Sequence, residues 1–147
     1  MSDTLHALAA LVVKEQVSLA GLPAAARTLA LAIAHATLPP GTVLNEREVN
    51  EALKAALAGP ACWLATDHVE LRRWLVDAGW LVRDGFGREY RALPHSELRA
   101  ELQPVARTLV TIDLKCWVAV ERQRKRNERN ARHKEWLARQ SGAAARV

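Results

Sequence analysis

Cysteine is scarce in this chain: Cys62 and Cys116 are the only two among 147 residues. Two cannot build a disulfide scaffold, and neither belongs to a Cys-x-x-Cys pair of the kind that holds zinc or exchanges disulfides. Both are expected to be small buried hydrophobes. Long apolar runs are missing as well. The longest, residues 8–13 and 29–34, fall far short of the roughly 18 residues a membrane span needs, and no charged start leads into a signal-type core. A cytoplasmic protein with no membrane partner is expected. Walker loops, Gly-x-Gly-x-x-Gly, His-Glu-x-x-His and Gly-x-Ser-x-Gly are all absent from the sequence, so the usual enzyme signatures are too. Cys62 and His68 stand too far from His95 and His133 to suggest a metal site. The expectation is a non-enzymatic protein without cofactor or metal.

What the chain does have is apolar and charged residues in the proportions of a globular domain, half hydrophobic and a quarter charged. A domain of this length buries roughly 70% of its unfolded surface. The formal charge of +5 is unevenly placed. Residues 1–120 hold twelve Lys and Arg against thirteen Asp and Glu, whereas residues 121–139 hold eight against three. The basicity is therefore a property of the tail, and the middle of the chain is close to neutral.

Periodicity and punctuation divide the chain into elements. Leu5, Leu8, Val12 and Leu19 give a loose helical stripe, ended by Gly21 and Pro23. From residue 24 to 38, Leu29, Ile33 and Leu38 among alanines predict a central helix apolar on most sides. Pro39, Pro40 and Gly41 stop it, and Thr42, Val43 and Leu44 suit a short strand. Asn45 followed by Glu48 reads as a capping box for a helix whose inward stripe is Val49, Leu53, Ala56 and Leu57. After Gly59 and Pro60, Asp67 with Glu70 repeats the cap, and Leu71, Trp74, Leu75 and Ala78 fall at i, i+3, i+4 and i+7. Leu81-Val82-Arg83, the turn 84–87 and Arg88-Glu89-Tyr90-Arg91 then predict a hairpin. Helix, short strand, helix, helix, hairpin is the order of a winged helix-turn-helix, whose third helix commonly enters the DNA major groove.

Three runs carry a resemblance: Asn45-Glu46-Arg47-Glu48-Val49-Asn50-Glu51-Ala52-Leu53; Asp67-His68-Val69-Glu70-Leu71-Arg72-Arg73-Trp74-Leu75-Val76-Asp77-Ala78-Gly79-Trp80-Leu81; and Gly87-Arg88-Glu89-Tyr90-Arg91. Over about residues 24–94 the chain resembles the bacterial domain-of-unknown-function family numbered two thousand and eighty-seven. That family has an E-V-N helix, a D-H-x-x-L-R-R-x-L-V-D-x-G-x-L segment and a strand containing tyrosine. Its members are often labelled transcriptional regulators, so the resemblance implies a DNA-binding role. This chain departs from the pattern in its longer link, residues 59–66.

The mainly helical fold with a small β-hairpin is expected in three parts: residues 1–22 as an N-terminal helical arm, 23–94 as the winged-helix domain, and 95–147 as a long C-terminal helix with a basic tail. DNA-binding candidates on the third helix are His68, Arg72 and Arg73. An arginine there forks onto guanine or clamps phosphate, unless Glu70 and Asp77, three and four residues from Arg73, absorb its charge as ion pairs. In the hairpin, a turn centred on Gly85 and Phe86 sets Arg83 opposite Arg88, and like charges across strands need something negative between them. That is either a phosphate or the neighbouring Asp84 or Glu89. Leu81 is expected opposite Tyr90.

Beyond Pro104, Val105, Leu109, Ile112, Cys116 and Ala119 form a four-three seam, widened by Val110, Leu114, Trp117 and Val120. Such a stripe fits a homodimer through Leu109, Ile112, Cys116 and Trp117, or else closes the chain's own core against the N-terminal arm. From Glu121 to Glu135 the one apolar residue is Ala131, so Arg122, Arg124, Lys125 and Arg126 are either solvated or on phosphates. Trp136 and Leu137 offer an anchor for a protein partner. Five tryptophans hint at base stacking, but Trp74 and Trp80 fall on core positions, while Trp63 is unassigned. The function expected is a dimeric winged-helix regulator on double-stranded DNA. A protein-interaction module, or an RNA-binding factor using the tail, is the alternative.

Overall fold

The computed structural model describes residues 2–86 and 88–145. Capping chemistry written into the sequence sets most of its boundaries. Helix α1 (Asp3–Val12) opens on Ser2, whose Oγ accepts from the Leu5 N–H at 3.2 Å. Helix α2 (Ala24–Ala36) buries five consecutive residues, Ala30 to Ala34, and so runs through the centre of the molecule. It stops where Thr37 donates to the Ala34 carbonyl and the two prolines follow. Strand β1 (Val43–Asn45) leads into α3 (Glu46–Ala58) through a complete capping box: Asn45 Oδ1 accepts from Glu48 N at 2.8 Å and Glu48 Oε1 accepts from Asn45 N at 3.0 Å. A cap of this kind contributes about 1 kcal/mol. Helix α4 (His68–Asp77) starts on Asp67 in the same way, Oδ1 to Glu70 N at 2.7 Å.

Strands β2 (Leu81–Arg83) and β3 (Glu89–Ala92) complete a three-stranded antiparallel sheet in the order β1-β3-β2. Two short 3-10 turns, His95–Glu97 and Ala100–Leu102, precede α5 (Gln103–Val110) and the long α6 (Leu114–Ala145). The mainly helical layout, with α2, α3 and α4 followed by a hairpin and β1 completing its sheet, is winged-helix-like, as the order of the predicted elements requires. One apolar cluster extends from Leu8 in α1 to Val118 in α6 and contains the fully buried Trp63 and Trp80. The arm and the C-terminal segment therefore share the core of the middle. Among the described residues no helix is long and apolar enough to cross a membrane.

Several expectations need correction. The arm helix ends at Val12 rather than reaching Leu19, because Gln16 takes a left-handed φ of 52° and Val17 instead bridges to the long link. Val17 N donates to the Trp63 carbonyl at 3.0 Å and its own carbonyl accepts from Ala65 N at 2.8 Å. Trp63 Nε1 donates to the Pro60 carbonyl, so the unassigned tryptophan anchors that link in the core. The hairpin is shifted by two residues: Arg83 faces Tyr90 and Leu81 faces Ala92, so Arg83 is not opposite Arg88. The cause is Asp84, whose Oδ1 accepts from both Phe86 N at 3.1 Å and Arg88 N at 2.9 Å and so carries the strand pairing farther along the chain.

The predicted continuous helix after Pro104 is two helices, since Asp113 caps a new one with Oδ1 accepting from Cys116 N at 3.3 Å. That corner breaks the seam. Leu109 is only 3% exposed within the chain's own core, Ile112 and Trp117 pack partly buried against it, and Cys116 is exposed. Cys62 is exposed too, so neither cysteine is the buried hydrophobe expected.

Candidate nucleic-acid interface

Leu71 and Leu75 turn inward from α4, which leaves Arg72 and Arg73 at 100° and 200° around the helix from Leu71. Arg73 is exposed. Its two expected partners do not hold it: Glu70 accepts from Thr66 Oγ1 at 2.9 Å, and Asp77 makes no ion pair among the described residues. Across from α4, the register that pairs Arg83 with Tyr90 sets both on the same face of the sheet. Tyr90 is buried and Arg83 is exposed beside it. The result is a hollow of about 310 Å³ between α4 and the hairpin, lined by Val69, Arg72, Arg73, Val76, Asp77, Arg83 and Tyr90. Arg73 and Arg83 against the one lining carboxylate, Asp77, with Arg72 beside its own Glu46, give the hollow a net positive charge.

Arg72 behaves differently from its neighbour. Its Nη1 donates to Asn50 Oδ1 at 2.6 Å and lies 3.5 Å from Glu46 Oε1, both on α3. Its Cζ sits 5.3 Å from the centroid of the Tyr90 ring, and the side chain is only 16% exposed. Arg72 therefore ties α4 to α3 and closes over Tyr90. Nη1 of Arg72 is thus engaged within the chain, and the side chain still lines the hollow. His68 stands half-buried at the start of α4, outside the hollow. Arg88 is exposed on the hairpin turn, next but one to Phe86, which is 86% exposed. Arg73, Arg83 and Arg88 form no ion pair among the described residues.

The basic tail is largely committed where the sequence made it most conspicuous. Arg122 donates through Nη1 to the Val12 and Lys14 carbonyls, each at 2.9 Å, and through Nη2 to Glu15 Oε1 at 2.6 Å. It is a fastener between α6 and the end of α1, not a free phosphate ligand. Arg124 pairs with the buried Glu121, and Arg126 donates to Gln123 Oε1 at 2.7 Å. Lys125 is half-buried along Ala9, Ala10 and Val13 of the arm. Farther along α6, Arg129, Arg132, Lys134 and Arg139 are exposed, as are Trp136 and Leu137.

Sequence reasoning missed Glu46, Asn50 and Tyr90 as the holders of Arg72. The i,i+4 spacing of Glu46 and Asn50 marked a shared polar face of α3, but nothing local said that α4 would lie against it.

These features define a mainly helical protein of winged-helix-like layout with a cationic hollow between α4 and the hairpin. Residues 20–92 match the model of a family described as uncharacterized protein conserved in bacteria (DUF2087), and over those residues the chain belongs to that family. No curated protein and no solved structure matches it.

Proposed function

We propose that the chain is a non-enzymatic regulator that binds double-stranded DNA by presenting the hollow between α4 and the wing to the duplex. The observation that carries this reading is that Arg73 and Arg83, from two different elements, line one hollow without a carboxylate partner among the described residues. A fold of this kind hosts many functions, so the weight rests on that arrangement and not on the layout. Arg73 takes the base-reading role, Arg83 and Arg88 hold backbone phosphate, and Arg72 fixes the helix that carries Arg73. The exposed cations of α6 add affinity that varies with salt and not with sequence. The proposal needs no second copy of the chain.

The test is a titration of random and genomic duplexes at two salt concentrations. Arg73→Ala and Arg83→Ala should each weaken a preferred duplex by roughly 1–3 kcal/mol. Equal binding of the wild type and the double variant to every duplex removes the reading. A second reading rests on Trp136 and Leu137, which are 50% and 46% exposed on an otherwise polar stretch of helix. It makes the chain a recruiting module for a protein. Loss of a partner on Trp136→Ala with Leu137→Ala, in nuclease-treated lysate and with duplex binding unchanged, favours it.

A further inference from the structure

A second hollow, of about 520 Å³, shares no lining residue with the arginine-lined one. Its floor is α2 at Ala32, His35 and Ala36, and its far wall is the corner between α5 and α6, with Leu109, Val110 and Ile112 among the lining residues. The volume is in the range of small-molecule sites, roughly 300–1,000 Å³, and such sites are mostly apolar with a few placed polar groups. The polar groups here are two imidazoles, His35 and His95, and the carboxylate of Asp113. Val110 on the rim is 81% exposed, an apolar side chain left uncovered within the chain.

His35 decides the chemistry of an occupant. Its Nε2 lies 2.8 Å from the Leu93 carbonyl, and a carbonyl only accepts, so Nε2 carries the hydrogen. Burial lowers the pKa of His35, against the smaller opposing effect of that same bond, so the ring is held neutral. Nδ1 is then a lone-pair acceptor. It makes no hydrogen bond among the described residues, and His35 lines the hollow. An acceptor on apolar walls selects an apolar body that carries one donor. A carboxylic acid fits poorly, because a neutral imidazole offers it no charge and Asp113 lines the same space.

We propose that this hollow is a binding site for a small aromatic hydroxyl compound, of the phenol or naphthol class, whose O–H donates to His35 Nδ1 while its ring lies between α2 and the α5–α6 corner. Such a ligand bonds to the side chain that contacts the root of the wing. Leu93, which accepts from His35, donates its N–H to the Trp80 carbonyl at 3.1 Å, and the Trp80 ring lies 5.0 Å from the His35 ring. Trp80 immediately precedes β2 and Leu93 immediately follows β3, so His35 holds both ends of the hairpin. The binding site stands whether or not the chain binds DNA.

The test uses the full chain and isothermal calorimetry, with β-naphthol as the probe and its methyl ether as the twin that lacks the donor. Saturable one-to-one binding of β-naphthol is expected, with the ether roughly three- to tenfold weaker for want of one hydrogen bond. Ala36→Phe, which fills the hollow from an exposed helix position and leaves the His35–Leu93 bond in place, should weaken β-naphthol at least tenfold. No saturable heat with β-naphthol, equal affinity for the ether, or wild-type affinity in a folded Ala36→Phe each overturns the site. The comparison with the ether needs no variant, so it decides the question even if Ala36→Phe does not fold.

Discussion

The first two turns of the basic stretch of α6 and the hollow beside α4 both present arginines, and the fold treats them in opposite ways. Between residues 121 and 126, Arg122 is drawn into the end of α1, Arg124 is paired with Glu121, and Arg126 is bonded to Gln123. Beside α4, where the sequence shows near-neutral surroundings, Arg73 and Arg83 are left without ion pairs among the described residues. Density of charge along a chain is thus a poor guide to where charge is available. A guanidinium on a single i,i+3 carboxylate, as Arg124 is on the buried Glu121, is held at one point and stays open to a second, phosphate ligand. A guanidinium forking onto two backbone carbonyls, as Arg122 does, is not open in this way.

The contrast breaks most sharply at Arg122. Arg122→Ala leaves the Val12 and Lys14 carbonyls and Glu15 without their shared donor, and should cost about 3 kcal/mol of folding stability, by the usual worth of hydrogen bonds to a charged group. Urea melts check this, with Arg73→Ala as the partner measurement, expected within about 0.5 kcal/mol of wild type because no hydrogen bond or ion pair among the described residues holds that side chain. Duplex affinity at a temperature where both variants are folded should reverse the order. If Arg73→Ala destabilises as much as Arg122→Ala, the distinction between committed and free cations fails.

Arg72 lies between the two classes, half fastener and half lining. Arg72→Ala should lose about 2 kcal/mol from the bond to Asn50 and the contact with Tyr90, and should also lower duplex affinity by letting α4 shift. Arg72→Lys sharpens the point. A lysine keeps the charge but not the planar fork that reaches Asn50 while covering a ring, so most of the stability loss should persist. Full recovery of both stability and affinity by Arg72→Lys would show that only the charge matters there.

Much of the fold was legible because it is written locally. The Asn45 and Asp67 caps, the Pro39-Pro40 stop and the inward stripe of Val49, Leu53 and Ala56 act over three or four residues, and the helices start and stop close to where those signals stand. The hairpin register was missed by two residues because Asp84 recruits two backbone donors and lengthens the turn, a competition between local hydrogen bonds that the alternation of side chains does not record. The break at Asp113 was hidden because the four-three apolar spacing continues across it. Less of the candidate site could be read. Arg73 and Arg83 were visible as residues, but which arginine is free depends on Thr66 occupying Glu70 and on Asn50 facing Arg72, contacts made between segments.

The smallest expected effect concerns a titratable group on the other side of the comparison, one that the fold keeps uncharged. Burial lowers the pKa of His35 below its ordinary value of 6.5. Between that lowered value and 6.5 the unfolded chain takes up a proton that the folded chain does not, so protons favour unfolding there. The stabilisation associated with neutral His35 is thus complete above pH 6.5 and declines as the solution is acidified through that window. Two other ionisable side chains, His95 and Asp113, line the same hollow, so the wild-type curve alone does not isolate His35. His35→Gln does, because its amide N–H can still donate to the Leu93 carbonyl while carrying no titratable group. Melting temperatures taken above pH 6.5 and about one unit below it should fall further for the wild type than for His35→Gln. Parallel falls in the two proteins would mean that His35 takes up its proton in the fold as readily as in the unfolded chain, and that the fold does not hold the ring neutral.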